Sequence, residues 1–232
     1  MTIQEIEDEL SVLHPIKGLV WLNDKFGDTV KLSTALGPEA QLLAYWISSK
    51  QLDTEIFTID TGRLFQETYD LLDETNWRLK TNIKVYFPDA PSVEKLIATK
   101  GANSFYNSID DRLECCKIRK VNPLKRALKD ANVWITGLRA DQSHARQFGK
   151  LIEWNETHQV IKYNPLIHWT QEEVLEQIHA HRIPVNKLLK TGFKSIGCQP
   201  CTRAVAENED DRAGRWWWEE SHKECGLHLN TA

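Results

Sequence analysis

Residues 29–60 read TVKLSTALGPEAQLLAYWISSKQLDTEIFTID, and this stretch decides the fold. TVKLSTAL (29–36) has the composition of a strand and runs into Gly37-Pro38. An apolar-rich helix, EAQLLAYWISSK (39–50), follows, and EIFTID (55–60) is a second strand ending at Thr61-Gly62. Strands joined through helices of this length lie parallel, because a parallel pair needs a long crossover. Downstream the alternation continues with a helix over 64–76, the strand IKVYFP (83–88) and a helix at 92–101. Residues 114–130 read as one helical segment despite Pro123, followed by the strand VWITGL (133–138). VIKYNPL (160–166) reads as a last strand, antiparallel or at an edge, and Thr170 with Glu173 forms a capping box opening a helix to about His181. Upstream, Ile3, Ile6, Leu10 and Leu13 mark an amphipathic helix that stops before Pro15, and Leu19, Leu22 and Phe26 mark another ending at Gly27. The expectation is an α/β fold, a mostly parallel twisted sheet with helices on both faces. It occupies residues 1–202. Residues 203–232 are charge-dense, interrupted by Trp216–Trp218, and are expected to form a mobile C-terminal tail folding over that domain.

The 29 Lys and Arg against 33 Asp and Glu, a net charge of −4, argue against a nucleic-acid partner. The absence of a long apolar run argues against a membrane span. MTIQEIEDEL at the N-terminus has neither a basic leader nor an apolar core, so no signal peptide is expected. Five cysteines in a chain without that signal point to a reduced, cytoplasmic protein whose thiols bind metal or react.

In such sheets ligands sit beyond the carboxyl ends of the strands. Ser33–Glu39 leads into a helix N-terminus, where unpaired backbone N–H groups attract anions; an ordinary strand-to-helix turn would look the same. It is no Walker A loop, since no Gly-Lys-Ser/Thr follows. Ile59-Asp60-Thr61-Gly62-Arg63 and the segment Thr136–Arg146, with Arg139 and Arg146, are further polar turns, and the arginines suit phosphate or sulfate oxygens.

Cys198 and Cys201 form a CxxC, which turns two thiolates toward one point. Cys115 and Cys116 are adjacent. Neighbouring helical side chains diverge by about 100°, a poor bite for zinc and a better one for two corners of a cubane [4Fe–4S] cluster. A dithiol redox centre, a zinc site and inert core cysteines stay open beside that reading. Cys225, close to Lys223, His222 and His228, has the setting of a reactive thiolate or of an incidental surface thiol.

Taken together, Glu114-Cys115-Cys116, Gly197-Cys198-Gln199-Pro200-Cys201-Thr202-Arg203, Gly214-Arg215-Trp216-Trp217-Trp218-Glu219-Glu220 and Lys223-Glu224-Cys225-Gly226-Leu227-His228 closely resemble the iron–sulfur branch of the assimilatory adenylyl-sulfate reductases. Asp60–Arg63 and Thr136–Ser143 match as well, so the resemblance runs from about residue 30 to 228. It implies the adenine nucleotide α-hydrolase-like fold. It also implies reduction of adenosine 5′-phosphosulfate to sulfite and AMP, as in sulfate assimilation and cysteine biosynthesis. By the same resemblance Cys225 is the nucleophile and becomes an S-sulfonate, with His228 beside it. Lys120, Arg146, Arg212 and Arg215 face the phosphosulfate, with Arg139 and Arg203 as further candidates; Ser33, Ile59 and Thr61 hold the adenosine. Cys115, Cys116, Cys198 and Cys201 bind one [4Fe–4S] cluster. The electron donor is a separate thioredoxin, since no thioredoxin-like domain follows in the sequence, and a homo-oligomer stays open. Four cluster cysteines favour the 5′-phosphosulfate over its 3′-phosphorylated relative, with dual activity as the alternative. A non-redox ligase of the same fold would want a Ser-Gly-Gly-x-Asp-Ser loop, which Ser33–Glu39 lacks. A metal-stabilised nucleotide-binding protein with an idle Cys225 is the remoter reading.

Overall fold

The computed structural model describes residues 1–142 and 146–219. Six strands form one sheet: β1 (Val30–Thr34), β2 (Glu55–Ile59), β3 (Lys84–Tyr86), β4 (Val133–Ile135), β5 (Ile152–Asn155) and β6 (Val160–Tyr163). Their order is β3-β2-β1-β4-β6-β5. Every pairing is parallel except β5 with β6. Among the described residues the helices are α1 (Ile3–Ser11), α2 (Pro15–Phe26), α3 (Pro38–Ser49), α4 (Gln66–Leu79), α5 (Ala90–Lys100), α6 (Ile109–Cys116), α7 (Asn122–Ala127) and α8 (Gln171–Ala180).

Successive strand residues serve opposite faces, and the buried residues divide accordingly. Val30, Leu32, Ile56, Val133, Ile135, Ile161 and Tyr163 join the larger core with apolar residues of α1, α2, α3, α4 and α8. Phe57, Trp134 and Val160 pack on the other face with Leu124 and Ala127 of α7. Lys31 lies buried on that second face because its Nζ donates to the Ala127 carbonyl at 2.8 Å. Both faces are therefore covered, as a parallel sheet requires. Strand order reverses between β1 and β4, which opens a crevice at their carboxyl ends.

Two expectations need correction. The strand at 160–163 is interior and parallel to β4; the antiparallel edge strand is β5, four residues that the sequence reading passed over. Lys162 lies buried within β6 because its amine pairs with Glu153 at 2.5 Å and sits over Trp134 at 5.7 Å. The helix expected at 114–130 starts at Ile109, behind a Ser108 cap, and is interrupted by a π-helical turn at Lys117–Val121. Pro123 explains the interruption: it lacks an N–H, and its ring would meet the carbonyl four residues back in a regular α-helix. Residues 203–219 of the expected tail fold over the domain and pack onto it. Arg215 pairs with Thr202 in a short antiparallel bridge, and the Trp216 side chain is fully buried.

Candidate active site

The crevice at the strand ends is a cleft of about 460 Å³, within the size range of small-molecule sites. Its floor is built by the residues following β1, β2 and β4. After β1, Thr34 Oγ1 accepts from the Leu36 amide at 2.9 Å, and Leu36 takes a positive φ of 59° while lining the cleft. Such a backbone is strained for a leucine and marks a turn held by its surroundings. Gly37 caps α3, whose first turn opens onto the cleft without a side-chain cap. Gly137, after β4, passes against that turn: a Cβ there would lie 3.0 Å from Glu39 Cβ and 3.1 Å from the Ala40 amide. Trp134 closes the floor from the second face, donating from Nε1 to Ser33 Oγ at 2.8 Å.

The turn after β2 is an Asx turn. Asp60 accepts from the Gly62 amide at 2.7 Å and from the Tyr69 hydroxyl at 2.9 Å. Gly62 has φ +70°, which a glycine adopts without strain. Burial, then Asp60, pushes the Tyr69 phenol up to about 12.

Ser33, Ile59, Thr61, Lys120, Arg139, Arg146, Arg212 and Arg215 all line this one cleft. Its charges are sorted. At the α3 end, Arg139 donates from Nε to Glu39 at 2.8 Å and also pairs with Asp141, so that corner carries no net positive charge. Lys120, Arg212 and Arg215 line the cleft as well, with Lys194 paired to Asp211 at 3.0 Å. Arg203 is bound to Glu209 at 2.7 Å and is not among the cleft-lining residues.

A second cavity lies behind the cleft. Cys115, Cys116, Cys198 and Cys201 line it together with Arg63, Arg112, Arg119 and Lys120. All four thiols are free, and three of them are buried. Burial raises the Cys115 thiol and pushes Cys201 up to about 12, so both are protonated at neutral pH unless a ligand takes the proton's place. Among the described residues, no three or more Cys, His, Asp or Glu side chains are grouped to hold a metal ion. Lys120 and Cys198 line both cavities. Thr61 joins them as well, its hydroxyl 3.2 Å from Cys198 Sγ and its carbonyl accepting from Arg119 at 2.7 Å.

A sequence model of the phosphoadenosine phosphosulfate reductase domain matches residues 29–204. The chain belongs to this family. Among its relatives, the adenosine 5′-phosphosulfate reductase of Burkholderia cepacia is 44% identical over 205 residues, spanning 88% of this chain and 82% of the relative. The enzyme of the same description from Sinorhizobium fredii strain USDA 257 is 41% identical over 239 residues, spanning all of this chain and 95% of the relative. A phosphoadenylyl-sulfate reductase structure from Candida auris superposes with a TM-score of 0.74 at 28% identity, covering 88% of this chain and 96% of that one. An FMN adenylyltransferase from Candida glabrata shares the fold alone, with a TM-score of 0.54 at 14% identity over 89% of this chain and 67% of that one. The adenine nucleotide α-hydrolase-like fold expected from the motifs is the one observed.

The cleft thus brings together eight of the nine expected binding residues, Arg203 being the exception, and the adjoining cavity brings together the four expected cluster cysteines. Cys225 and His228, together with Ser143, lie outside the described residues. Sequence reasoning missed Trp134, Lys194, Arg112 and Arg119 as parts of these sites. The basic run after Cys116, Lys117-Ile118-Arg119-Lys120, was a usable signal for Arg119. The others had none, because each acts across a long sequence separation.

Proposed function

We propose that this chain reduces adenosine 5′-phosphosulfate to sulfite and AMP, with a thioredoxin as separate electron donor, in the cytoplasm. The observation that carries the reading is the shared wall: Lys120, Thr61 and Cys198 separate an anion-binding crevice from a cavity of four reduced cysteines. The relatives named for this reaction match nearly the whole chain.

The adenosine rests on Ser33, Ile59 and Thr61, and the phosphosulfate meets Lys120, Arg146, Arg212 and Arg215. These cations offset the repulsion between a thiolate and an anionic substrate, and their benefit grows as charge develops on the departing phosphate. The Cys225 thiolate attacks the sulfate sulfur. The S–O bond to phosphate breaks and AMP leaves with its electron pair. A thioredoxin thiolate then attacks Cys225 Sγ and displaces sulfite; the second thioredoxin thiol closes a disulfide and returns Cys225 as a thiol. Two electrons pass from two thiols to sulfur. His228 assists beside the nucleophile. Arg139 acts indirectly, by holding Glu39 and the first turn of α3.

Cys115, Cys116, Cys198 and Cys201 would hold one [4Fe–4S] cluster: four reduced thiols line one cavity, beside guanidinium groups that would balance bound thiolates. When bound, the cluster supplies a fixed charge and a rigid anchor beside Lys120. The set of four cysteines, together with relatives named for adenosine 5′-phosphosulfate, favours the 5′-phosphosulfate over its 3′-phosphorylated form.

The test is a sulfite assay with both nucleotides, with and without thioredoxin, on the parent chain and Cys225→Ser, with iron and acid-labile sulfide counted in the same preparations. Thioredoxin-dependent sulfite from the 5′-phosphosulfate, lost in Cys225→Ser and accompanied by iron and sulfide, is expected. Sulfite production by Cys225→Ser overturns the mechanism, and a colourless iron-free active protein overturns the cluster.

A further inference from the structure

The last described residue, Glu219, is tied into the cysteine-bearing helix more firmly than the end of a tail requires. Arg112 of α6 donates from Nε to Glu219 Oε1 at 2.6 Å, with side chains only 1% and 4% exposed. Between them in the chain path sits Trp216, fully buried, with the Arg112 guanidinium 4.7 Å from its ring centre and that of Arg215 also at 4.7 Å. Trp216 holds a positive φ of 42°, uncommon for a bulky residue. A strained backbone of that kind persists only where its surroundings over-determine it. A buried ion pair is also a poor way to gain stability, since well-packed apolar side chains often do as well; its attested use is to set register.

We infer that the Arg112–Glu219 pair, with Trp216, is a positioning staple for the segment carrying Cys225. This rests on the proposed role of Cys225 as nucleophile. Cys225 lies six positions beyond Glu219, and a chain of six steps reaches at most about 20–22 Å. The staple therefore fixes the centre of the volume that the thiol can search. It places that centre on the helix holding Cys115 and Cys116, one aromatic ring away from cleft residue Arg215. Releasing it enlarges that volume and lowers the effective concentration of the thiol at the bound substrate.

The experiment uses the full chain carrying Glu219→Gln, and separately the double change Arg112→Met with Glu219→Leu, which replaces the pair by apolar packing. Two quantities are read: the single-turnover rate of Cys225 S-sulfonate formation by quenched-flow mass spectrometry, and AMP affinity by calorimetry. The circular dichroism spectrum and the urea midpoint verify the fold of each variant. The expected result is a rate lower by on the order of tenfold in the double variant, a smaller loss in Glu219→Gln, and AMP affinity within about twofold of the parent. A parent-like rate in the folded double variant overturns the staple. So does a parallel loss of rate and AMP affinity, which would place the pair in the cleft's own shape. Cys225→Ser in the otherwise unaltered chain is the separate control: S-sulfonate or sulfite formed there refutes the nucleophile, whatever the staple variants do.

Discussion

A single methyl group at Gly137 tests how the cleft is built. A Cβ at this position would lie 3.0 Å from Glu39 Cβ, 3.1 Å from the Ala40 amide nitrogen and 3.4 Å from the Glu39 carbonyl carbon. Comfortable contacts between non-bonded carbons are about 3.5–4.0 Å. The obstructing atoms belong to the first turn of α3 and cannot swing aside as a flexible side-chain tip would. Gly137→Ala must therefore push the turn away by several tenths of an ångström, at an overpacking cost of about 1–3 kcal/mol. The same displacement moves the amides that face the cleft. A helix N-terminus is worth about 0.3–2 kcal/mol to a nearby anion, so AMP affinity should fall by roughly two- to thirtyfold. Urea unfolding measures the first quantity and calorimetric titration with AMP the second. Gly27→Ala is the control: φ is +56° and ψ −134°, with nothing within 4 Å of its Cβ, so only conformational strain of about 1–3 kcal/mol is expected, with AMP affinity intact. Parent-like stability and AMP affinity in Gly137→Ala would refute the argument that close approach of this turn to α3 shapes the anion site.

Arg139→Gln removes the partner of Glu39, whose side chain is only 13% exposed, and breaking such a pair costs about 3–5 kcal/mol. AMP binding weakens with it; Glu39→Gln in the same chain should recover most of both losses, and recovery of stability without recovery of AMP affinity would make Arg139 a direct ligand after all. The Tyr69 phenol, pushed up to about 12 by burial and Asp60, holds its proton more tightly folded than unfolded. Its contribution to stability is complete below about pH 10 and declines as pH rises toward about 12. Urea midpoints across that window should show a slope that Tyr69→Phe reduces, and an equal slope in both proteins would contradict it.

Much of the architecture was legible because its signals are local. The strand-helix-strand run from Thr29 to Asp60 carries its own periodicity and turn residues, and β1, α3 and β2 appear within a few residues of expectation. Errors arose where long-range partners override local pattern. Lys162 is buried since Glu153 and Trp134 await it across the sheet. The Cys115-Cys116 helix breaks into a π turn where Pro123 cannot donate to it. The triple tryptophan had no helical or strand period to follow. Trp216 anchors beside Cys198 and Cys201 with Phe105, while Trp217 and Trp218 pack against Tyr106.

The sequence by itself determined the alternating α/β order, the set of four cysteines apart from a fifth, and the polar turns at the strand ends, since residue type and short spacing suffice for each. Only the tertiary structure decided which charges remain available to a ligand. Arg139 meets Glu39 across 100 residues, Thr61 meets Cys198 across 137, and Arg112 meets Glu219 across 107. Such pairings depend on where the sheet brings distant strand ends together. They turn one arginine into a scaffold, leave others lining an anion site, and set the four cysteines behind the wall of that site.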